Sequence, residues 1–140
     1  MIKMNIQLDE NAFIPEYAHH GFDAGFDIRS PIDFVVPARG SVTIDTGLHI
    51  ELAPNTVGML KSKSGLNINH DLTSEGVIDV NFCNSIRVKL YNHGDTDYVG
   101  KRGDKISQLV VMPFIVETFN LVDKLEEKGR GNAGFGSTGR

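Results

Sequence analysis

Asp79 is the residue best placed to act as a general base. It stands in Gly76-Val77-Ile78-Asp79-Val80-Asn81-Phe82, between an apolar tripeptide and an aromatic ring, directly before the alternating run Ile86-Arg87-Val88-Lys89-Leu90-Tyr91-Asn92. A carboxylate at the edge of a strand is held rigidly enough to accept a proton from a bound water. Taken alone, the stretch favours a plainer reading, a turn capped by Asp79, because Asp bonds readily to its own neighbouring backbone.

Other segments add the means to hold an anion. Lys63, Ser64 and Gly65, within Lys61-Ser62-Lys63-Ser64-Gly65-Leu66, are basic and small. In Gly129-Arg130-Gly131-Asn132-Ala133-Gly134-Phe135-Gly136-Ser137-Thr138-Gly139-Arg140, glycines such as Gly136 let backbone N–H groups approach phosphate oxygens. Arg130 and Arg140 bring charge there, Ser137 and Thr138 bring hydroxyls, and the Phe135 ring is suited to stack on a base. The run is not a Walker A loop, because no Gly-Lys-Ser/Thr ending follows and no strand and helix flank it; the alternative is a Gly-rich tail without a role. Asp27, Asp79 and Asp104 read as acids at strand edges. Beside the basic groups they suit a Mg²⁺–phosphate complex, in which the ion keeps several waters and meets acids only indirectly.

The elements that must position these groups read as strands. The chain of 140 residues, 40% hydrophobic and 23% charged, predicts one domain with a real core. A net charge of −4 excludes a general nucleic-acid binder, which needs a basic surface. The single cysteine, Cys83, excludes an intrachain disulfide and suits a reducing compartment. No signal-peptide run or membrane-spanning apolar stretch stands in the sequence, so a cytoplasmic location is expected, the host cytoplasm if the chain is phage-encoded.

Ile2, Met4, Ile6 and Leu8 alternate and predict an opening strand with one buried face. Phe34–Pro37 predicts a short strand, Ser41–Leu52 a long alternation that leaves His49 on the surface, and Val57–Leu60 another strand. The paired His19 and His20 point apart and carry no predicted chemistry. Asn67–Glu75 reads as a polar loop or a short helical turn. Ile106–Met112 is a buried strand that carries Gln108, and Phe114–Leu125 reads as a final strand. Turn signals recur at short intervals without a sustained helical period, which predicts an all-β sandwich or barrel. Residues 1–127 form the β body; residues 128–140 form an arm, expected to be mobile until it meets a ligand.

Five segments in order, Ala24-Gly25-Phe26-Asp27-Ile28, Lys63-Ser64-Gly65-Leu66, Gly76-Val77-Ile78-Asp79 with Phe82, Gly103-Asp104-Lys105-Ile106-Ser107-Gln108-Leu109, and Arg130 with Gly134-Phe135-Gly136-Ser137-Thr138-Gly139, resemble the five motifs of trimeric dUTP pyrophosphatases. The resemblance spans nearly the whole chain. It implies a jelly-roll-like β-sandwich or distorted barrel, assembled as a homotrimer with active sites shared between subunits. It further implies hydrolysis of dUTP to dUMP and pyrophosphate, which limits uracil in DNA and supplies dUMP.

By this resemblance Asp79 activates the water that attacks the α-phosphorus, and Gln108 helps to hold that water. Mg²⁺ binds the triphosphate and is reached by Asp27 through water. Lys63, Ser64 and Gly65 meet phosphate oxygens; Phe82 packs on the deoxyribose; the hairpin from Asp79 to Ser85 reads uracil by its backbone. Phe135 stacks on uracil when the arm closes, with Arg130, Gly136, Ser137 and Thr138 around the terminal phosphates. Three positions depart from the family pattern: Lys63 stands for arginine, Phe82 for tyrosine, and Asn84 for a glycine that asparagine replaces with least cost in a left-handed turn. Two other functions stay open. One is a nucleotide-responsive binding protein with weak hydrolysis and a regulatory protein partner, which the unusual Asn81, Cys83 and Asn84 keep in view. The other is a dCTP deaminase of the same fold, for which no pattern stands in the chain.

Overall fold

Residues 3–129, with Gly134, Gly136, Thr138 and Gly139, are described by a computed structural model. Eleven strands and one short helix are present among them. In order they are β1 (Asn5–Leu8), β2 (Gly25–Arg29), β3 (Phe34–Val36), β4 (Ser41–Asp45), β5 (Leu48–Glu51), β6 (Thr56–Lys61), α1 (Ser64–His70), β7 (Leu72–Thr73), β8 (Glu75–Ile78), β9 (Arg87–Asn92), β10 (Tyr98–Gly100) and β11 (Lys105–Pro113). The clearest alternation in the sequence gives the clearest strand: along β9 every second side chain is buried, as a pleated strand with one face on a core requires.

All pairings are antiparallel. β2-β11-β6-β8 form the largest sheet, β4-β9-β7 a second, and β1-β5 and β3-β10 two ribbons; no sheet closes into a barrel among the described residues. The expectation of an all-β, jelly-roll-like body holds. Ile44, Val88 and Leu90 from the second sheet enter one buried cluster with Ile28, Ile106 and Leu109 from the first. Full burial of such a side chain contributes about 2 kcal/mol, so this cluster is what holds β11 and its Gln108 in place.

Several expectations are corrected. The run Ser41–Leu52 keeps its buried face but is two strands in different sheets, broken at Gly47, which sits at φ 68 with its Cβ position 3.0 Å from the Ala12 Cβ. Thr46 is buried at the break and donates its hydroxyl to the Ile86 carbonyl at 2.6 Å. Of the two readings of Asn67–Glu75, a polar loop or a short helical turn, the helical one holds as far as His70, but the helix already begins at Ser64. Asp71 ends it at φ 57, donating its N–H to the Asn67 carbonyl. β1 begins at Asn5, and its Ile6 is exposed instead of buried. Phe114–Leu125 is not a strand: no ladder includes it, and Phe119 and Leu121 are each 98% exposed. No helix among the described residues is long and apolar enough to cross a membrane.

Candidate functional site

Asp27 lies in the middle of β2, not at an edge, and is 4% exposed. A buried carboxylate needs partners, and it has two: Lys63 bonds one oxygen, and Lys105 Nζ lies 2.9 Å from the other. Burial alone would raise its pKa; the bonds and charges of Lys63 and Lys105 outweigh that and leave it lowered. Lys105 lies within the fourth motif, and the resemblance assigns it no role. Alternation could not place it, because a bulge between Lys105 and Ser107 shifts the register of β11 on β2.

Gln108 faces β2 across the same sheet, paired with Asp27, and donates its side-chain amide to the Ser62 carbonyl at 3.0 Å. A Cβ at Gly25 would fall 2.7 Å from Gln108 Oε1, so glycine there gives the carboxamide its room. Gly25, Asp27, Lys63, Ser64 and Gln108 together line one open cleft of about 420 Å³ with His19 and Asp23. His19 is exposed and bonded to Asp23. Ser64 opens α1 and Gly65 follows, with open space around its Cβ position. Nothing within the chain demands a glycine in this first helical turn, where it costs about 1 kcal/mol against alanine. Lys61, by contrast, is paired with Glu75 across β6 and β8 at 3.1 Å. Asp104 is a turn closer, accepting the Lys101 N–H at 2.9 Å.

Asp79 follows β8 directly and is exposed. A second open cleft, of about 480 Å³, lies beside it, lined by Ile78, Phe82, Asn84, Ser85 and Arg87. The hairpin closes with the Phe82 N–H on the Asp79 carbonyl at 3.0 Å. Asn84 is not among the residues at positive φ, so it takes the turn without the left-handed conformation that its tolerance was expected to serve. Ser85 donates its hydroxyl to Asp45 and accepts the Gly47 N–H at 2.9 Å. The Ser85 hydroxyl and the Gly47 N–H hold the Asp45 pKa below its ordinary value.

The two clefts share no lining residue. Gln108, Lys61 and Glu75 occupy one row across β11, β6 and β8, while Asp79 comes four residues after Glu75, just past the end of β8. Asp79 therefore stands roughly 13 Å along the strands and about 10 Å across them from Gln108. One water cannot touch both side chains in one chain. Arg130, Phe135 and Ser137 lie outside the described residues; Gly136 and Thr138 are exposed.

No group of three or more His, Cys, Asp or Glu residues able to hold a metal exists among the described residues. With both Asp27 oxygens already on lysines, the donor set fits a cation carried in on phosphate oxygens and reached through water, not one caged by the protein.

Comparison with known proteins places the whole chain. A family model described as dUTPase matches residues 10–139. The deoxyuridine 5'-triphosphate nucleotidohydrolase of Clostridium acetobutylicum is 37% identical over 143 residues, 99% of this chain and 98% of that one. That of Arabidopsis thaliana is 39% identical over 134 residues, covering 95% of this chain and 80% of its own. Among solved structures, the Staphylococcus bacteriophage 80alpha dUTPase with dUpNHpp superposes at TM-score 0.88 with 26% identity over 100% of both chains. A mutant dUTPase from phage phi11 of S. aureus, described with a structural Mg(II) ion, has TM-score 0.83 and 24% identity, covering 90% of this chain and 100% of that one.

Proposed function

The chain belongs to the dUTPase family and hydrolyses dUTP to dUMP and pyrophosphate, and on that premise we propose that each active site is assembled from more than one copy of it. The observation that carries this reading is the separation of Asp79 from Gln108 within one chain. In a homotrimer, the Asp79 hairpin of one subunit meets the cleft of Asp27, Lys63, Ser64 and Gln108 of the next, with Gly65 following Ser64 at its side. The apolar run after β11, with Ile115, Val116, Phe119 and Leu121 largely exposed, supports the assembly, since exposed apolar surface on this scale marks an interface.

In that site the Asp79 carboxylate takes a proton from water. The water oxygen bonds to the α-phosphorus, the bond from that phosphorus to the oxygen bridging the β-phosphate breaks, and pyrophosphate leaves. Gln108 of the partner subunit holds the water in line, which is where most of the rate comes from in phosphoryl chemistry. Lys63, Ser64 and Gly65 take phosphate oxygens, and Lys63 exchanges part of its bond to Asp27 for them. Mg²⁺ bound on the triphosphate would supply charge neutralisation for the departing pyrophosphate, and Asp27 is the residue that would reach it through water.

Phe82 packs against the deoxyribose and excludes a 2′-hydroxyl by shape. Arg130, Gly136, Ser137 and Thr138 close on the phosphates and Phe135 on the base, shielding the reaction from bulk water. A cytoplasmic setting fits the free Cys83. Neither a regulatory partner nor a deaminase is favoured by the relatives.

Pyrophosphate release with Mg²⁺ from dUTP, dCTP, dTTP and UTP, measured side by side, tests reaction, base and sugar together. Release from dUTP alone is expected. Equal release from UTP would remove Phe82 from sugar selection, and equal release from dTTP or dCTP would remove the hairpin from base selection.

A further inference from the structure

We propose that His49 is a specificity-determining positioning residue, whose ring ties the base-reading hairpin through the Cys83 carbonyl to the Asp9 carboxylate and so aims a hairpin N–H at the pyrimidine. The inference rests on the reading of Asp79–Ser85 as the uracil hairpin. The sequence places His49 on the outer face of an alternating strand, and the expectation was a surface residue. Instead its side chain is 20% exposed, with Nδ1 2.7 Å from the Cys83 carbonyl oxygen and Nε2 3.0 Å from Asp9 Oδ1.

The bond has leverage because of where it falls. From Val80 to Asn84 it is, among the described residues, the single hydrogen bond that joins the hairpin to the body of the chain. Past that point the chain is secured by Ser85 on Asp45 and by the Ile86 N–H on the Leu48 carbonyl at 2.8 Å. The Cys83 carbonyl and the Asn84 N–H belong to one planar peptide, trans like all those described, and so point in opposite directions. Fixing the carbonyl on His49 therefore fixes the direction of the Asn84 N–H, and Asn84 lines the cleft with Phe82. A backbone that reads a base by one or two N–H and C=O groups discriminates only as well as those groups are aimed.

Both ring nitrogens face acceptors, a carbonyl and a carboxylate, so only the doubly protonated ring donates to both. The Cys83 carbonyl first, and Asp9 next, raise the His49 pKa above its ordinary 6.5. The charged groups around the ring are Asp9 from the loop after β1 and Asp45 at the end of β4; Glu51 on β5 lines the same depression with Cys83. Arg87, at the start of β9, acts on Asp45. Since the folded pKa is raised, the double tether is complete below the ordinary value and is lost as pH rises through the folded one.

The test is steady-state dUTP hydrolysis with Mg²⁺ by the wild type, His49→Leu, His49→Gln and Phe82→Ala from about pH 6 to about pH 9. At the acid end His49→Leu is expected to raise KM about tenfold, keep kcat within about twofold of wild type, and narrow the preference for dUTP over dCTP. His49→Gln, which keeps one donor, should recover part of the loss, and the wild-type KM should climb toward the leucine variant's at the alkaline end. A leucine-to-wild-type KM ratio near one at every pH, with Phe82→Ala still raising KM, overturns the role of His49 alone. An unchanged KM in Phe82→Ala overturns the hairpin reading and the proposal together.

Discussion

The two clefts hold their functional groups by different means. At the proposed phosphate end, Asp27 projects from the edge strand β2 of the largest sheet, Lys105 and Gln108 project from the neighbouring β11, and a buried carboxylate fixes two ammonium groups by ion pairing. At the base end, Asp79 and Phe82 sit on an exposed hairpin whose position depends on side chains from β4 and β5 bonded to it one at a time. Charge at the first end is held by burial, where an unpaired group would be costly. Recognition at the second, in the proposed reading, is by neutral backbone groups, which need orientation more than desolvation. Each cleft also lacks what the other has: Asp79 stands beside one, and Gln108 lines the other.

The largest effect that could break this contrast is on turnover. Asp79→Asn and Gln108→Ala homotrimers should each lose at least about 100-fold in kcat, with dUpNHpp still bound. Co-assembled from equal amounts, they should regain about a quarter of wild-type activity, because random mixing restores both groups to that share of shared sites. Mixed trimers as inactive as their parents would return both residues to one chain and end the division between clefts.

A smaller effect sharpens the difference in burial. Asp27→Asn should cost about 2 kcal/mol in urea denaturation, below the value for a fully buried pair because Lys63 and Lys105 keep some solvent. Asp45→Asn, in the exposed cluster with Ser85, should cost no more than about 1 kcal/mol. Equal losses would show that burial does not separate the two ends. The smallest effect is in pH dependence. Both carboxylates have folded pKa values below the ordinary 3.8. Their contribution is therefore complete above that value and declines as pH falls through the lowered ones. The midpoint temperature should drop less steeply on acidification in Asp27→Asn than in wild type, measured by thermal melts over that range.

Much of the body was legible because period-two alternation is a direct readout of a pleated strand with one buried face. β9 shows this, and the buried side of Ser41–Leu52 survives even where the chain changes sheets. The change itself was not legible, since it depends on Thr46 reaching the Ile86 carbonyl forty residues away. α1 was missed at its start because Ser64-Gly65 is a poor helical opening by propensity, and Asp71 settles its end in the left-handed conformation. Asp27 read as an edge acid because its two lysines come from distant segments, Lys63 and Lys105. His49 was misplaced by the same limit: alternation gives a face, and the hairpin folds over that face afterwards. Phe114–Leu125 has a strand's composition without a partner strand among the described residues.

That last segment has a consequence for handling and for life at low abundance. If the proposed homotrimer covers Phe119 and Leu121, which a single chain leaves almost wholly in water, its assembly is favoured by mass action as the protein concentration rises. Its melting temperature should then rise with protein concentration, and specific activity should fall on dilution below the dissociation range. Thermal stability and catalysis would then share a single variable, the number of copies present.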